Sequence, residues 1–246
     1  MKNSAKINLI ALGVVIIVNA LANILPLGGM TTGEVSAGYP ILLTPAGITF
    51  SIWSVIYTLL LVAFLIELRN PELEAQENAV LGKYFLLNCA GNILWILSWH
   101  LLPVQISFFM ILVLLYSLFK ISQNLTKKDA KTGNVFKMAF SIYFGWITIA
   151  TLVNFCVFCY AFGATNAFST NLLLTVIFIL IAAAVALFAS LKKGLPFYAY
   201  TVSWALLGIF LKQWGKNQSL AIIALTASVV VLVVTVISSI RRHSAI

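Results

Sequence analysis

Between its clusters of lysine and arginine the chain runs apolar for roughly 18–25 residues at a time, long enough to cross about 30 Å of hydrocarbon as helix. The runs are continuous rather than alternating. In lipid a polypeptide must satisfy its own backbone polar groups, so such runs predict an all-α polytopic transmembrane helix bundle and exclude a barrel. About eight helices are expected, at about 7–25, 46–68, 80–101, 103–120, 136–160, 170–191, 195–212 and 218–239. The third and fourth are separated only by His100 to Pro103 and form a tight hairpin. The segment 195–212 is the least apolar, because it carries Tyr198, Tyr200, Ser203 and Trp204. Composition agrees: hydrophobic residues are 62% of the chain and charged residues 9%, with a mean hydropathy of +1.06, whereas a soluble domain is about half apolar and about a quarter charged.

Charge placement orients the bundle. With eight spans and both termini inside, Lys2, Lys6, Arg69, Lys83, Lys120, Lys127, Lys128, Lys131, Lys137, Lys192, Lys193, Arg241 and Arg242 all fall on the inner side. Only Lys212 and Lys216 fall outside, the asymmetry of the positive-inside rule. The net charge of +9 therefore reports orientation and contact with anionic lipid. Membrane lipid is an expected partner and nucleic acid is not, since no basic run interleaves with exposed aromatics. Lys2 and Lys6, an apolar stretch and Ala20-Leu21-Ala22 together imitate a signal peptide, but Asn19 inside the stretch favours a retained helix.

Few residues offer catalytic chemistry. Cys156 and Cys159 lie one turn apart without the further Cys or His that a four-ligand zinc site needs, and with Cys89 they read as packing residues. No metal site is expected. His100 and His243 have no carboxylate or thiol companion in sequence and read as interfacial polar residues. Glu34, Glu67, Glu72, Glu74, Glu77 and Asp129 all fall in predicted loops or at span ends. Proton-coupled carriers and ion channels place such groups within the membrane, so that class is disfavoured. No nucleotide-binding loop is present.

Three spans carry a polar–aromatic stripe at steps of three and four, which puts each set on one helix face. The second holds Pro45, Gly47, Phe50, Trp53 and Tyr57. The third holds Asn88, Asn92, Trp95 and Trp99, and the fifth holds Tyr143, Trp146, Ala150 and Asn154. In the expected topology Trp53 lies roughly 10 Å below the outer surface and Asn92 and Trp95 at roughly 9–13 Å, with Asn154 and Ala150 in the outer half and Trp146 near the midplane. The loop 26–45 would hang above them as a lid. Such an arrangement suits a flat, largely apolar ligand. Interfacial anchoring by Trp and helix joining by Asn19, Asn23 and Asn88 explain the same pattern as packing, and spacing alone does not separate the two.

These residues resemble the tryptophan-rich sensory protein family (TspO), bacterial relatives of the mitochondrial translocator protein or peripheral benzodiazepine receptor. That family has five helices with a long loop after the first. Pro45, Gly47, Phe50, Trp53 and Tyr57 resemble the entry of its second helix. Asn92, Trp95 and Trp99 resemble its third, with Asn88 where Gln is usual. Tyr143, Trp146, Ala150 and Asn154 fall in register with its fifth, with Ile142 in place of a Pro. Phe50 and Trp53 are three apart where the family usually has four. No Lys or Arg follows Tyr160, so the family's cholesterol-type motif is not present. The resemblance covers about residues 7 to 160, which divides the chain into a TspO-like core, 1–162, and three added helices with a basic tail, 163–246.

The resemblance implies a multi-pass protein of the bacterial inner membrane that binds porphyrin, haem or a similar flat hydrophobic molecule, without covalent attachment, to sense or move it. Trp53, Trp95 and Trp146 would stack on the ligand, and Asn92 and Asn154 would hydrogen-bond it. A transporter of a small apolar or lipid-like solute, gated by the added helices, is the alternative. Light-dependent porphyrin degradation ranks behind both, because the sequence holds no acid–base pair. The oligomeric state is left open, a homodimer included.

Overall fold

The computed structural model describes residues 4–127, 132–164 and 167–243. Lys2, Lys128, Asp129 and Lys131 of the charge map, and the side chain of His243, fall outside them. Among the described residues the secondary structure is entirely helical. The helices are α1 (Ser4–Ile24), α2 (Thr32–Ala37), α3 (Ile52–Glu67), α4 (Pro71–Leu81), α5 (Tyr84–Leu101), α6 (Val104–Leu125), α7 (Asn134–Ala161), α8 (Phe168–Lys193), α9 (Pro196–Gln213) and α10 (Gln218–His243). Short 3-10 turns cover Leu27–Gly29 and Gly47–Ser51, and the second leads directly into α3.

Every expected apolar run is a helix. Among the described residues six segments are long and apolar enough to cross a membrane: α1, Gly47–Glu67, α6, α7, α8 and α10. Helices α4 and α5 together would make a seventh, bent by 65° at their junction. Helix α9 falls short on composition, and its packing accounts for this. It buries residues over most of its circumference, among them Tyr198, Thr201, Ser203, Gly208 and Gln213, so protein rather than lipid solvates its polar groups. On α8 and α10, by contrast, Leu173, Leu180, Phe188, Val229, Val233 and Ile237 are exposed, the outward apolar face that a lipid solvent calls for.

The chain forms two compact units, Met1–Val35 with Ile52–Phe144 and Ser36–Ser51 with Gly145–Ile246. In the first, α5 and α6 form the expected hairpin. Gly91 admits Val113 and Leu114 so closely that a Cβ there would lie 3.3 Å from Val113 Cγ1. Phe64, Phe85, Phe140 and Phe136 form a chain of ring contacts, with centroids 4.9, 6.0 and 4.7 Å apart in that order.

The stretch 69–79, expected as a loop, instead folds as α4. Asn70 caps it by accepting from the backbone N–H groups of Glu72 and Leu73, Pro71 occupies the first turn, and Gly82 ends it at φ 49°. These are the stop and start signals of a short helix. Folding it buries Glu77, which accepts from the Gly133 N–H at 2.9 Å. Glu67, expected at a span end, is fully buried and no hydrogen bond reaches either of its carboxylate oxygens.

In the second unit α8, α9 and α10 pack on one another. Ser203 and Ser228 bind reciprocally, each hydroxyl donating to the other's carbonyl at 2.9 and 2.8 Å. Small residues bring these two backbones together in the way membrane helices commonly pack. At one end Arg242 donates to the carbonyls of Ser190 and Leu191, which fastens α10 to α8. Gly145 of α7 sits against α9, where a Cβ would lie 2.7 Å from the Tyr198 carbonyl.

Candidate functional site: an aromatic ladder and a pinned strap

The stripe residues of the first unit come together. On α3, Trp53 and Tyr57 are one turn apart and stack at 5.4 Å with 19° between their planes. On α5, Trp95 and Trp99 do the same at 6.3 Å and 27°. Trp53 meets Trp95 at 5.8 Å and 30°, so the four rings run Tyr57–Trp53–Trp95–Trp99 as a ladder. Tyr143 approaches Trp53 edge-on at 5.9 Å. Trp95, Trp99 and Tyr143 are buried, while Trp53 and Tyr57 are half-buried. Contacts of this kind add about 0.5–1.5 kcal/mol each beyond area burial.

A polar thread runs beside the ladder. Asn92, wholly buried, donates to the Tyr143 hydroxyl at 2.9 Å and accepts from the Asn19 amide at 2.6 Å. Asn19 also donates to the Val15 carbonyl. Asn88 donates to Ser117 on α6, which is the helix-joining role its position suggested. Asn19 is therefore more than a helix fastener, since it fixes the amide at the centre of the site. Its only signal in the sequence is a polar residue midway along an apolar run.

Residues 25–35, which follow α1, are held by side-chain hydrogen bonds. Thr31 and Glu34 form a capping box on α2, with the Thr31 N–H and hydroxyl both donating to Glu34 Oε2 at 2.7 and 2.9 Å. These bonds hold the Glu34 carboxyl below its ordinary value. His100, at the end of α5, contacts the Leu27 carbonyl at 2.9 Å and the Thr32 hydroxyl at 3.1 Å. Trp99 is buried rather than a belt anchor, and its indole N–H donates to the Thr32 carbonyl at 3.4 Å.

In the second unit Phe50 meets Trp146 edge-on at 5.6 Å. Trp146 and Asn154 are buried, and Asn154 donates to the Ala150 carbonyl one turn back. Pro45 packs near Gly208, Gly47 opens the 3-10 turn, and the Ala46 N–H donates to the Gly208 carbonyl at 2.9 Å. The strap Ser36–Ser51 is pinned along its length by the C-terminal helices. Asn171 donates to the Pro40 carbonyl and accepts from the Leu42 N–H. Gln213 donates to the Leu42 carbonyl, and Trp204 donates to the Thr49 carbonyl. Asn171 and Gln213 thus hold residues 36–45 of the expected lid, and Gly208 and Trp204 hold the strap beyond it. Sequence reasoning missed Asn171, Gln213 and Gly208, because each bonds to backbone and backbone leaves no residue-type signature.

Chemically, the ladder offers π faces and neutral amide and phenol groups. Among the described residues no three of His, Cys, Asp or Glu gather where a metal could bind.

A family model described as TSPO-like protein matches residues 5–237, from the start of α1 to well into α10. No match is found among curated proteins or among solved structures.

Proposed function

The chain belongs to the TSPO-like family, and from that premise we propose that this integral membrane protein binds flat hydrophobic ligands of the tetrapyrrole class, porphyrin or haem, for sensing or transport. One observation carries the reading: four aromatic rings of α3 and α5 form a ladder with a hydrogen-bonded amide beside it. Trp53 is half-buried between Tyr57, stacked on it, and Trp95, tilted against it, so it offers a planar ligand a ring within the ladder. Asn92 keeps the Tyr143 phenol turned toward the same rings.

Titration of the detergent-solubilised protein with protoporphyrin, followed by the porphyrin's own absorption band, tests this. Saturable binding is expected, weakened roughly three- to tenfold by Trp53→Leu, the worth of one stacking contact, and unchanged by Trp214→Leu at an exposed position. Failure of porphyrin to saturate, or equal affinity of the wild type and Trp53→Leu, rejects the reading. Trp146→Leu measures separately whether the Phe50–Trp146 pair takes part.

A further inference from the structure

At one end of the second unit, where α7 and α9 finish and α8 and α10 begin, lies a cleft of about 500 Å³. We propose that this cleft is a second binding site, for an amphipathic organic anion with an apolar body and a carboxylate or phosphate head. Its volume is that of a small-molecule site. Tyr39 and Tyr160 form one corner, edge to face at 6.1 Å, and Phe168 and Ile41 add apolar wall. Lys212 and Lys216 line the same hollow, one half-buried and the other exposed.

The floor is preorganised. Asn171 and Gln213, both buried, grip the backbone of Pro40 and Leu42 through three hydrogen bonds of 2.7–3.2 Å. Burial pushes the Tyr39 phenol up, which leaves it a neutral donor.

Charge selects the ligand. The chain's acidic side chains are at 34, 67, 72, 74, 77 and 129, and all of these positions precede Gly145 and lie outside Ser36–Ser51. The second unit therefore supplies no carboxylate side chain to balance the two lysines. A lysine at the α9 C-terminus complements the helix dipole. That role calls for one exposed cation and not for two cations beside a hollow walled by rings. Cations at the rim with aromatics within match an anionic head and an apolar body. The site does not depend on the tetrapyrrole reading, since none of the ladder residues lines it.

The test uses the full chain in phosphatidylcholine nanodiscs, titrated calorimetrically with 1-pyrenebutyrate and with the neutral 1-pyrenebutanol, and with empty nanodiscs subtracted. The acid is expected to bind about tenfold more tightly than the alcohol, the worth of a charged hydrogen bond. Lys212→Gln/Lys216→Gln erases that difference, Lys192→Gln/Lys193→Gln preserves it, and Tyr160→Leu weakens both probes. Replacing a fifth of the lipid by phosphatidylglycerol distinguishes the sources. If lipid phosphate is the natural head group, pyrenebutyrate is displaced from the wild type beyond the effect seen with the double variant. If the ligand is soluble, the two shift alike. Equal affinity for acid and alcohol, or a lysine variant that weakens both equally while melting like the wild type, overturns the proposal. Loss of protoporphyrin binding alone leaves it standing.

Discussion

Asn92 concentrates what a single residue contributes. Its carbonyl oxygen and its amide nitrogen are both spent, on Asn19 and on Tyr143, in a place that water does not reach. Truncating it removes one partner from the buried Tyr143 hydroxyl and one from the Asn19 amide, which keeps its bond to the Val15 carbonyl. Asn92→Ala should therefore cost about 1–3 kcal/mol, measurable as a fall in the unfolding midpoint during denaturing-detergent titration. Asn88→Ala breaks one bond to a serine that also donates to the Leu114 carbonyl, and should cost less, nearer the ~0.6 kcal/mol average for a hydrogen bond between membrane helices. Equal losses in the two variants would show that Asn92 is not the centre of the thread. Spacing alone placed Asn92 on the face of Trp95, and that placement was legible because i, i+3 geometry is local. Its partner Asn19 is separated from it by 73 residues in sequence, and no local rule reaches that far. Glu67 was illegible for the same reason. A glutamate at the end of a run looks like an interfacial charge until the α4 residues that cover it have folded.

At the scale of elements, the long helices were readable because lipid imposes a single composition on them, and their observed ends fall within a few residues of the expected ones. Helix α4 was not, because its composition is that of a soluble loop and only its capping residues, Asn70, Pro71 and Gly82, reveal it. The strap 36–51 was not legible for the opposite reason. Its first part lies in the expected lid 26–45 and carries no span signal, whereas its backbone is fastened by side chains that arrive more than a hundred residues later. Gly208 is where the fastening is tightest. A Cβ there would collide with the Thr49 side chain and lie 3.0 Å from Pro45 Cβ. Gly208→Ala should push the 3-10 turn away and cost about 1–3 kcal/mol, the usual penalty of overpacking. Gly13→Ala, on a helix position with open space around it, should instead stabilise by roughly 0.5–1 kcal/mol through helix propensity. Thermal unfolding in one detergent compares the two. A neutral Gly208→Ala would mean that the strap is loosely held.

For the molecule as a whole, the open quantity is which way the chain faces, and α9 is the element on which it turns. By composition α9 does not pass as a lipid-facing span, yet at 18 residues its length is roughly 27 Å, close to the hydrocarbon thickness. Packed on by α8 and α10, it can cross without being apolar, since its neighbours replace the lipid. If it crosses, Lys192 and Lys193 at its start lie on the side opposite Lys212 and Lys216 at its end, and the positive-inside rule assigns the first pair to the cytoplasm. Single cysteines at these positions, in a background with Cys89, Cys156 and Cys159 replaced by Ala, decide it. A membrane-impermeant maleimide should label Lys216→Cys in intact spheroplasts, and Lys192→Cys only after lysis. Labelling of both from one side would make α9 a re-entrant helix. Labelling of Lys192→Cys alone would invert the chain, and the aromatic cleft with its two lysines would then sample cytoplasmic rather than external anions.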